Sequence, residues 1–567
     1  MHSCLSFLII PQSKLNMKST YLLFLFFISL IEIAQAQTTS PLENVVITAN
    51  KSKTKVYSDE NGKLNINVSP KNVVKFKTNR LVRYSDFGAK GDGITDDIDA
   101  IAATHAFANQ HHLMVQADKG ATYYISGKDR TAIIETDTDF GTANFIINDT
   151  NVQNIRSSVF IVSSALKKFK PNGVSSLKKN QENINVSFPG SCIVTITNSN
   201  IKQYIRFGNN QDKGNSQIDM FIVDKNGKVD INTPILWEFD QYTDIEALPI
   251  DENTLTITGG HFTTIANKAE SKYTYYNRNI MIKRSNVIVD GLKHDITGEG
   301  EHGAPYGGFL RIIDCANVTV KNTILTGHKT YQTIGNAGVT VSMGSYDIQT
   351  TRVLNVSFVN CKQTNDIKDR TYWGIMASNY SKNLSYDNCS LSRFDAHSGV
   401  ANASIRNSTL GHGGINAIGF GTLTLENSTI YSKNFINLRQ DYGSTWQGEF
   451  VIRNCTFVPD RSKEETSVIL FNGFNSGQHD FGYPCYMPER ITIENLYIND
   501  ISYQDGYKGL VLFENFNPKI IDDSYLEKFP YSKTKEVILK NVKSSSGKTL
   551  RISDNTFMFK NVKLINN

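Results

Sequence analysis

A short pattern of alternating apolar and polar residues recurs through the second half of the chain. Each copy continues into Asn or Gly, a polar pair and another apolar residue. Clear copies are VTVKNTIL ending at Leu325, VSFVNCKQ at Gln363, LSYDNCSL at Leu391 and ASIRNSTL at Leu410. They continue as LTLENSTI at Ile430, FVIRNCTF at Phe457 and ITIENLYI at Ile498, with looser copies near Gly259, Gly291, Asn541 and Asn561. The alternation predicts strands with one buried face. The Asn or Gly that follows tolerates left-handed backbone and turns a corner. Asn388, Asn407 and Asn427 lie 19 and 20 residues apart. A unit that short cannot bury its own apolar face, so successive units must stack. The expected fold is all-β, a parallel β-helix with equivalent positions about 5 Å apart on successive coils. Cys361 and Cys389 then neighbour each other in an internal ladder, with Cys455 farther along. An antiparallel sandwich would account for the even strands but not for the repeated corner.

Upstream, YSDFGAKGDGITDD runs from Tyr84 to Asp97 and leads into an amphipathic stretch reaching about Asn109. Thr95 is the expected N-cap, and Asp96, Asp97 and Asp99 suit the positive end of a helix. Ala100, Ile101, Ala103, Thr104 and Phe107 supply its buried stripe. The strand signal TYYI follows at Thr122–Ile125. This motif, then a helix, then GATYYISG, resembles the N-terminal cap of the pectin-lyase-like superfamily. That resemblance implies a right-handed parallel β-helix with an N-terminal capping helix over residues 80–567. The superfamily includes polysaccharide lyases, polygalacturonases and phage tailspikes, so several chemistries and either a monomer or a trimer remain open. Asp92, Asp96 and Asp97 read as a turn and a cap, not as catalysts.

The apolar stretch Tyr21–Ile33 follows Lys18 and ends in Ala34-Gln35-Ala36, as in a secretory signal peptide over residues 1–36 with its true start at Met17. Export, to the periplasm or the medium of a bacterium, is therefore expected. No other segment is apolar enough to span a bilayer. Residues 37–79 are rich in Lys, Ser, Asn and Asp and are expected as a loosely attached extension. Residues 127–255 are less regular and are read as early coils with long insertions, or a small β insert. The formal charge of +5 on 567 residues is too mild for a nucleic-acid binder but suits an acidic partner. Seven Cys in a chain this long make no disulfide scaffold, and none has zinc spacing. No cofactor is expected. Calcium, which related lyases use, finds no clear acidic cluster.

Chemistry on a solenoid should gather unusual polar residues at matched positions of adjacent coils. Counting from the corner Asn residues brings Arg393, His412, Asp366 and Lys433 towards one face, with His397 and Asn416 four or so positions on. Ser392–His397 and Asn437–Trp446 are dense in functional residue types. The expected catalytic set is His397, His412, Arg393, Asp395, Arg439, Asp441 and Tyr442. The expected substrate contacts are Asp366, Trp373, Asn379, Tyr380, Asn416, Lys433 and Trp446, the two Trp by stacking on sugar rings. Arginine neutralises a uronate carboxylate while imidazole or phenol moves protons, which predicts β-elimination. The resemblance and the basic charge, not any one residue, imply a chondroitin-, hyaluronan- or pectin-type polysaccharide. Paired aspartates, Asp395 with Asp441 or Asp366, offer hydrolysis instead. A non-catalytic carbohydrate-binding adhesin is the third possibility.

Overall fold

The computed structural model describes residues 45–49, 54–59, 62–207, 213–335, 338–373, 376–460, 465–500 and 506–566. The expected signal peptide, 1–36, lies outside the described residues. Parallel strands climb a right-handed β-helix, each coil pairing with the next. One internal column runs Val318, Val356, Leu384, Ala403, Leu423 and Phe450 in unbroken register. All six are buried. Full burial of such side chains is worth about 1.5–3 kcal/mol each, so the columns carry most of the stability.

The corner asparagines adopt left-handed backbone, with φ of 54° at Asn360, 52° at Asn388 and 49° at Asn427. Their amides form an external ladder. Asn388 donates to Asn360 (2.8 Å), Asn427 to Asn407 (3.2 Å), Asn454 to Asn427 (3.2 Å) and Asn495 to Asn454 (2.8 Å). Each bond adds only about 1 kcal/mol, but together they fix register, because a one-residue slip would turn every apolar side chain outward. Cys361 and Cys389 neighbour each other inside, and all six described cysteines are buried and free.

The helix Ile98–His111 plugs one end, with Ile101 and Phe107 fully buried. Asp97, not Thr95, is its N-cap residue, and its carboxylate accepts from the backbone N–H groups of Lys90 (2.6 Å) and Gly91 (3.0 Å). Thr95 is held outside the helix by Asp92, to which its hydroxyl donates at 2.8 Å. Asp96 accepts from the Ser126 hydroxyl at 2.6 Å. The acidic motif is therefore structural.

Residues 64–79 are not a loose extension. The strand Leu64–Val68 buries Leu64, Ile66 and Val68, and Ser69 caps a helix, Pro70–Asn79, that sets Phe76 against Phe107 at 5.8 Å. The polar residues of this segment alternate with apolar ones that close the end of the solenoid. Arg130 ties down the chain just before it by donating to the Ser58 hydroxyl (3.0 Å) and the Gly62 carbonyl (2.6 Å).

Strands Cys192–Gln203, Asn215–Val223 and Asp244–Pro249 form an antiparallel sheet with its own core around Val194, Ile196, Phe221 and Phe239. This insert docks on the solenoid wall through Ile193 and Met220 against Ala316 and Leu354. A buried Lys382–Asp219 pair at 2.7 Å fixes the contact. The docking sends residues 204–207 across to the coils that carry Arg439.

Candidate active site

Outward-facing positions on five consecutive coils form a straight polar row. Asp395 pairs with Asn416, Asn416 with Asn437 and Asn437 with Asn472. Phe471 pairs with Phe513, which sets Glu514 next in line. The flanking Phe394, Ile415, Ile436 and Phe471 point inward and are buried, as strand alternation requires. Four rung spacings separate Asp395 from Glu514 by roughly 19 Å. The row floors a cleft of about 1010 Å³, lined also by Tyr273, Tyr346, Trp373, Phe207 and Phe474. Such an elongated groove suits a chain more than a compact molecule.

At the Asp395 end, three guanidinium groups meet two carboxylates, leaving one net positive charge. Arg393 Nη2 lies 2.7 Å from Asp395 Oδ2, and Arg439 Nη1 lies 3.5 Å from Asp395 Oδ1. Arg439 Nη2 and Arg206 Nη2 reach Asp441 Oδ2 at 2.8 and 3.0 Å. Aromatic faces support the cations: Arg393 lies 5.0 Å from the Trp373 centroid, and Arg206 and Arg439 lie 5.6 and 5.5 Å from that of Tyr442. Asp395 is 1% exposed, yet neither of its ion pairs has hydrogen-bond alignment, so both its oxygens lack a hydrogen-bond donor among the described residues. Burial alone would raise the Asp441 carboxyl, but Arg439 and Arg206 hold it below its usual value. Burial likewise opposes the charge on Arg439, and Asp395 and Asp441 overcome it.

His397 borders the same cluster. Its Nδ1 lies 3.2 Å from Asn379 Oδ1. The Ser398 hydroxyl lies 3.4 Å from the same nitrogen; with the proton on Nδ1, the ring donates to the amide oxygen and keeps its lone pair on Nε2. Burial, then the Arg439 charge, pushes its pKa down to about 4, so the ring is neutral at pH 7. Tyr346 keeps its phenolic proton, its pKa raised by burial and then by Asp395. Burial raises the Glu514 carboxyl against the opposing pull of the Gly473 N–H and Lys433. Among the described residues, no group of three or more His, Cys, Asp or Glu is arranged to hold a metal ion.

Of the residues singled out from the sequence, Arg393, Asp395, His397, Asn416, Arg439, Asp441 and Trp373 line the cleft, and Asn379 orients His397. Others do not. His412 falls in a two-residue register shift, since Leu391 pairs with Leu410 but Arg393 with Gly414. It instead sits beneath a loop with Nε2 on the Tyr372 carbonyl at 2.8 Å, and burial lowers its pKa. Asp366 is exposed and caps a turn through the Lys368 N–H. Lys433 pairs with Glu465 at 2.6 Å. Trp446 is fully buried against Phe450, with its indole N–H on the Gly421 carbonyl, so its ring packs the core and stacks on no sugar. Tyr442 is buried too and acts as a shelf for the arginines, while Tyr380 packs edge-on against Tyr204 at 5.3 Å.

Sequence reading missed Arg206, which arrives from the insert, and Tyr346 and Glu514. Glu514 had a visible signal: VILFN at 468–472 and LVLFE at 510–514 are the same strand on successive coils.

The backbone has solved counterparts over most of the chain. The tailspike gp61 of Pseudomonas phage phi297 superposes with a TM-score of 0.50 at 13% identity, covering 84% of this chain and 83% of its own. The tailspike gp49 of Pseudomonas phage LKA1 gives 0.50 at 12% identity, covering 85% and 84%. The shared fold is the parallel β-helix. At such identities the likeness concerns the fold alone. In sequence, 124 aligned positions, 18% of this chain, are 29% identical to a capsule KL64-specific depolymerase of Klebsiella phage P510, and they span only 12% of that relative. No family model matches the chain.

Proposed function

We propose that the cleft binds an acidic polysaccharide and cleaves it by β-elimination, and that the protein is exported to do so. The carrying observation is a neutral imidazole beside a guanidinium cluster with one surplus positive charge, on a polar groove five coils long. The resemblance of one segment to a capsule depolymerase supports a polysaccharide partner. The leader-like first 36 residues support export.

In this reading a uronate carboxylate sits against Arg393, Arg439 and Arg206, which withdraw charge and acidify the C5 proton. His397 Nε2 takes that proton. The electron pair forms the C4–C5 double bond, the bond from C4 to the glycosidic oxygen breaks, and the Tyr346 hydroxyl supplies the proton to the leaving oxygen. Exchange with solvent returns the proton from His397 to Tyr346. Chondroitin- or hyaluronan-type chains and pectic chains all carry the required uronate.

A second reading is hydrolysis by Asp395 and Asp441. Both contact Arg439, which limits the separation of the bound oxygens to at most about 9 Å, no wider than paired glycosidase carboxylates allow. A purely binding protein would have no need of the unprotonated His397.

The test is absorbance near 232 nm, roughly where a 4,5-unsaturated uronate absorbs, with hyaluronan, chondroitin sulfate and polygalacturonate as substrates. A rise on one of them supports elimination. New reducing ends without a rise would move the proposal to the aspartates.

A further inference from the structure

The polar row does not stop at Asp395. Ser378 pairs with Ala396 and Gln349 with Ala377, so Asp395 lies in line with Gln349, and Gln349 pairs with Arg311. Arg311 therefore occupies the same outward position three rungs, or about 14 Å, from Asp395. There it lines a recess of about 430 Å³ with Arg156, Asn277, Gln349, Tyr273 and Tyr275. Tyr273 and Tyr275 also line the main cleft, so the two spaces adjoin.

The charge balance of this recess is unusual. Arg311 has no ion pair among the described residues; Nη1 donates to the Asn277 amide oxygen at 3.2 Å, and Nε is buried without a partner. The carboxylate whose charge favours it, Asp314, is engaged by Arg352 through two contacts of 2.5 and 3.0 Å. Burial, then Arg352, disfavours the charge on Arg311. Arg156 adds a second exposed cation, and no carboxylate lines the recess. A half-buried guanidinium without a counter-charge costs stability, and its usual remedy is an anion.

We infer that Arg311, with Arg156, Asn277 and Gln349, forms an anion subsite for a carboxylate or sulfate carried by the polysaccharide, roughly three sugar units from the cleavage centre. The inference rests on the polysaccharide reading of the cleft. Tyr275 and Tyr273 offer aromatic walls for the intervening rings. The site would make the protein select long charged chains over short or neutral ones.

The test measures binding of four- and ten-sugar fragments of hyaluronan, chondroitin sulfate and polygalacturonate to the wild-type protein, Arg311→Gln and Arg311→Lys. Each variant is first checked for an unchanged melting temperature. For the wild type, the ten-sugar fragments should bind better than the four-sugar ones. In Arg311→Gln that advantage should fall about tenfold, with a shallower dependence of Kd on salt. Arg311→Lys should retain most of it. A loss confined to chondroitin sulfate would identify sulfate as the anion, and a loss with all three would identify the carboxylate. If the wild type binds none of these chains, the polysaccharide reading falls and the subsite with it. If the wild type binds them and Arg311→Gln keeps the full long-chain advantage, the subsite alone is overturned.

Discussion

Replacing Arg439 by Met removes the charge that joins Asp395 to Asp441 while keeping an apolar stem over the Tyr442 ring. Arg439 and Asp441 are 16% and 23% exposed at the side chain, and Asp395 is 1% exposed, so the lost attraction is poorly screened. Breaking a buried pair by removing one partner costs about 3–5 kcal/mol. Arg393 remains beside Asp395 and Arg206 beside Asp441, so the lower end, about 3 kcal/mol, is expected. The loss should depend on pH. In the wild type Asp441 titrates below its unfolded value of about 3.9. Its contribution is therefore present above that value and disappears as pH falls through the folded one. Without Arg439 most of that contribution is gone, so the gap between wild type and variant should be wide at pH 7 and narrow towards pH 3. Urea unfolding followed by circular dichroism at several pH values measures this. A gap below about 1 kcal/mol at pH 7, or one that does not change with pH, would refute the assignment of Arg439 as the counter-charge of both aspartates.

Four further outcomes are expected. His397→Ala should abolish turnover while preserving polysaccharide binding; turnover within a few-fold of wild type would remove His397 as the base. Because the neutral ring is the active form, kcat should rise as pH increases through about 4 and stay level towards neutrality, whereas a midpoint near 6.5 would contradict the buried environment. At the corner, Asn427→Ala forces φ of 49° on a residue with no side-chain bonds to its neighbours and should cost about 2 kcal/mol, with Asn427→Gly nearer 1, by urea unfolding. All six described cysteines are buried, and burial pushes the Cys455 thiol up to about 11, so Ellman's reagent should react with none of these six before unfolding.

The solenoid was legible because stacking forces a repeat. The apolar alternation and the Asn at positions 360, 388, 407 and 427 each record one coil. The cleft was legible only in part. Arg393, Asp395 and His397 share one strand, so their proximity follows from local sequence. His412 was misplaced because counting from Asn407 assumes constant coil length, and the shift between Leu391 and Arg393 adds two residues. Trp446 reads from sequence as a sugar platform because nothing local distinguishes an inward Trp from an outward one. Its pairing with Gly419 fixes the direction. Arg206 had no signal near the cleft at all. It reaches Asp441 only because an insert more than two hundred residues upstream docks through Lys382 and Asp219.

The most direct test of the central claim is the mass of the products released by the wild-type protein from a defined uronate oligosaccharide. Elimination splits the chain without adding water, so the account predicts one fragment a water lighter than its hydrolytic counterpart, carrying the double bond. Fragments that both have their full hydrolytic mass would contradict elimination and transfer the chemistry to Asp395 and Asp441.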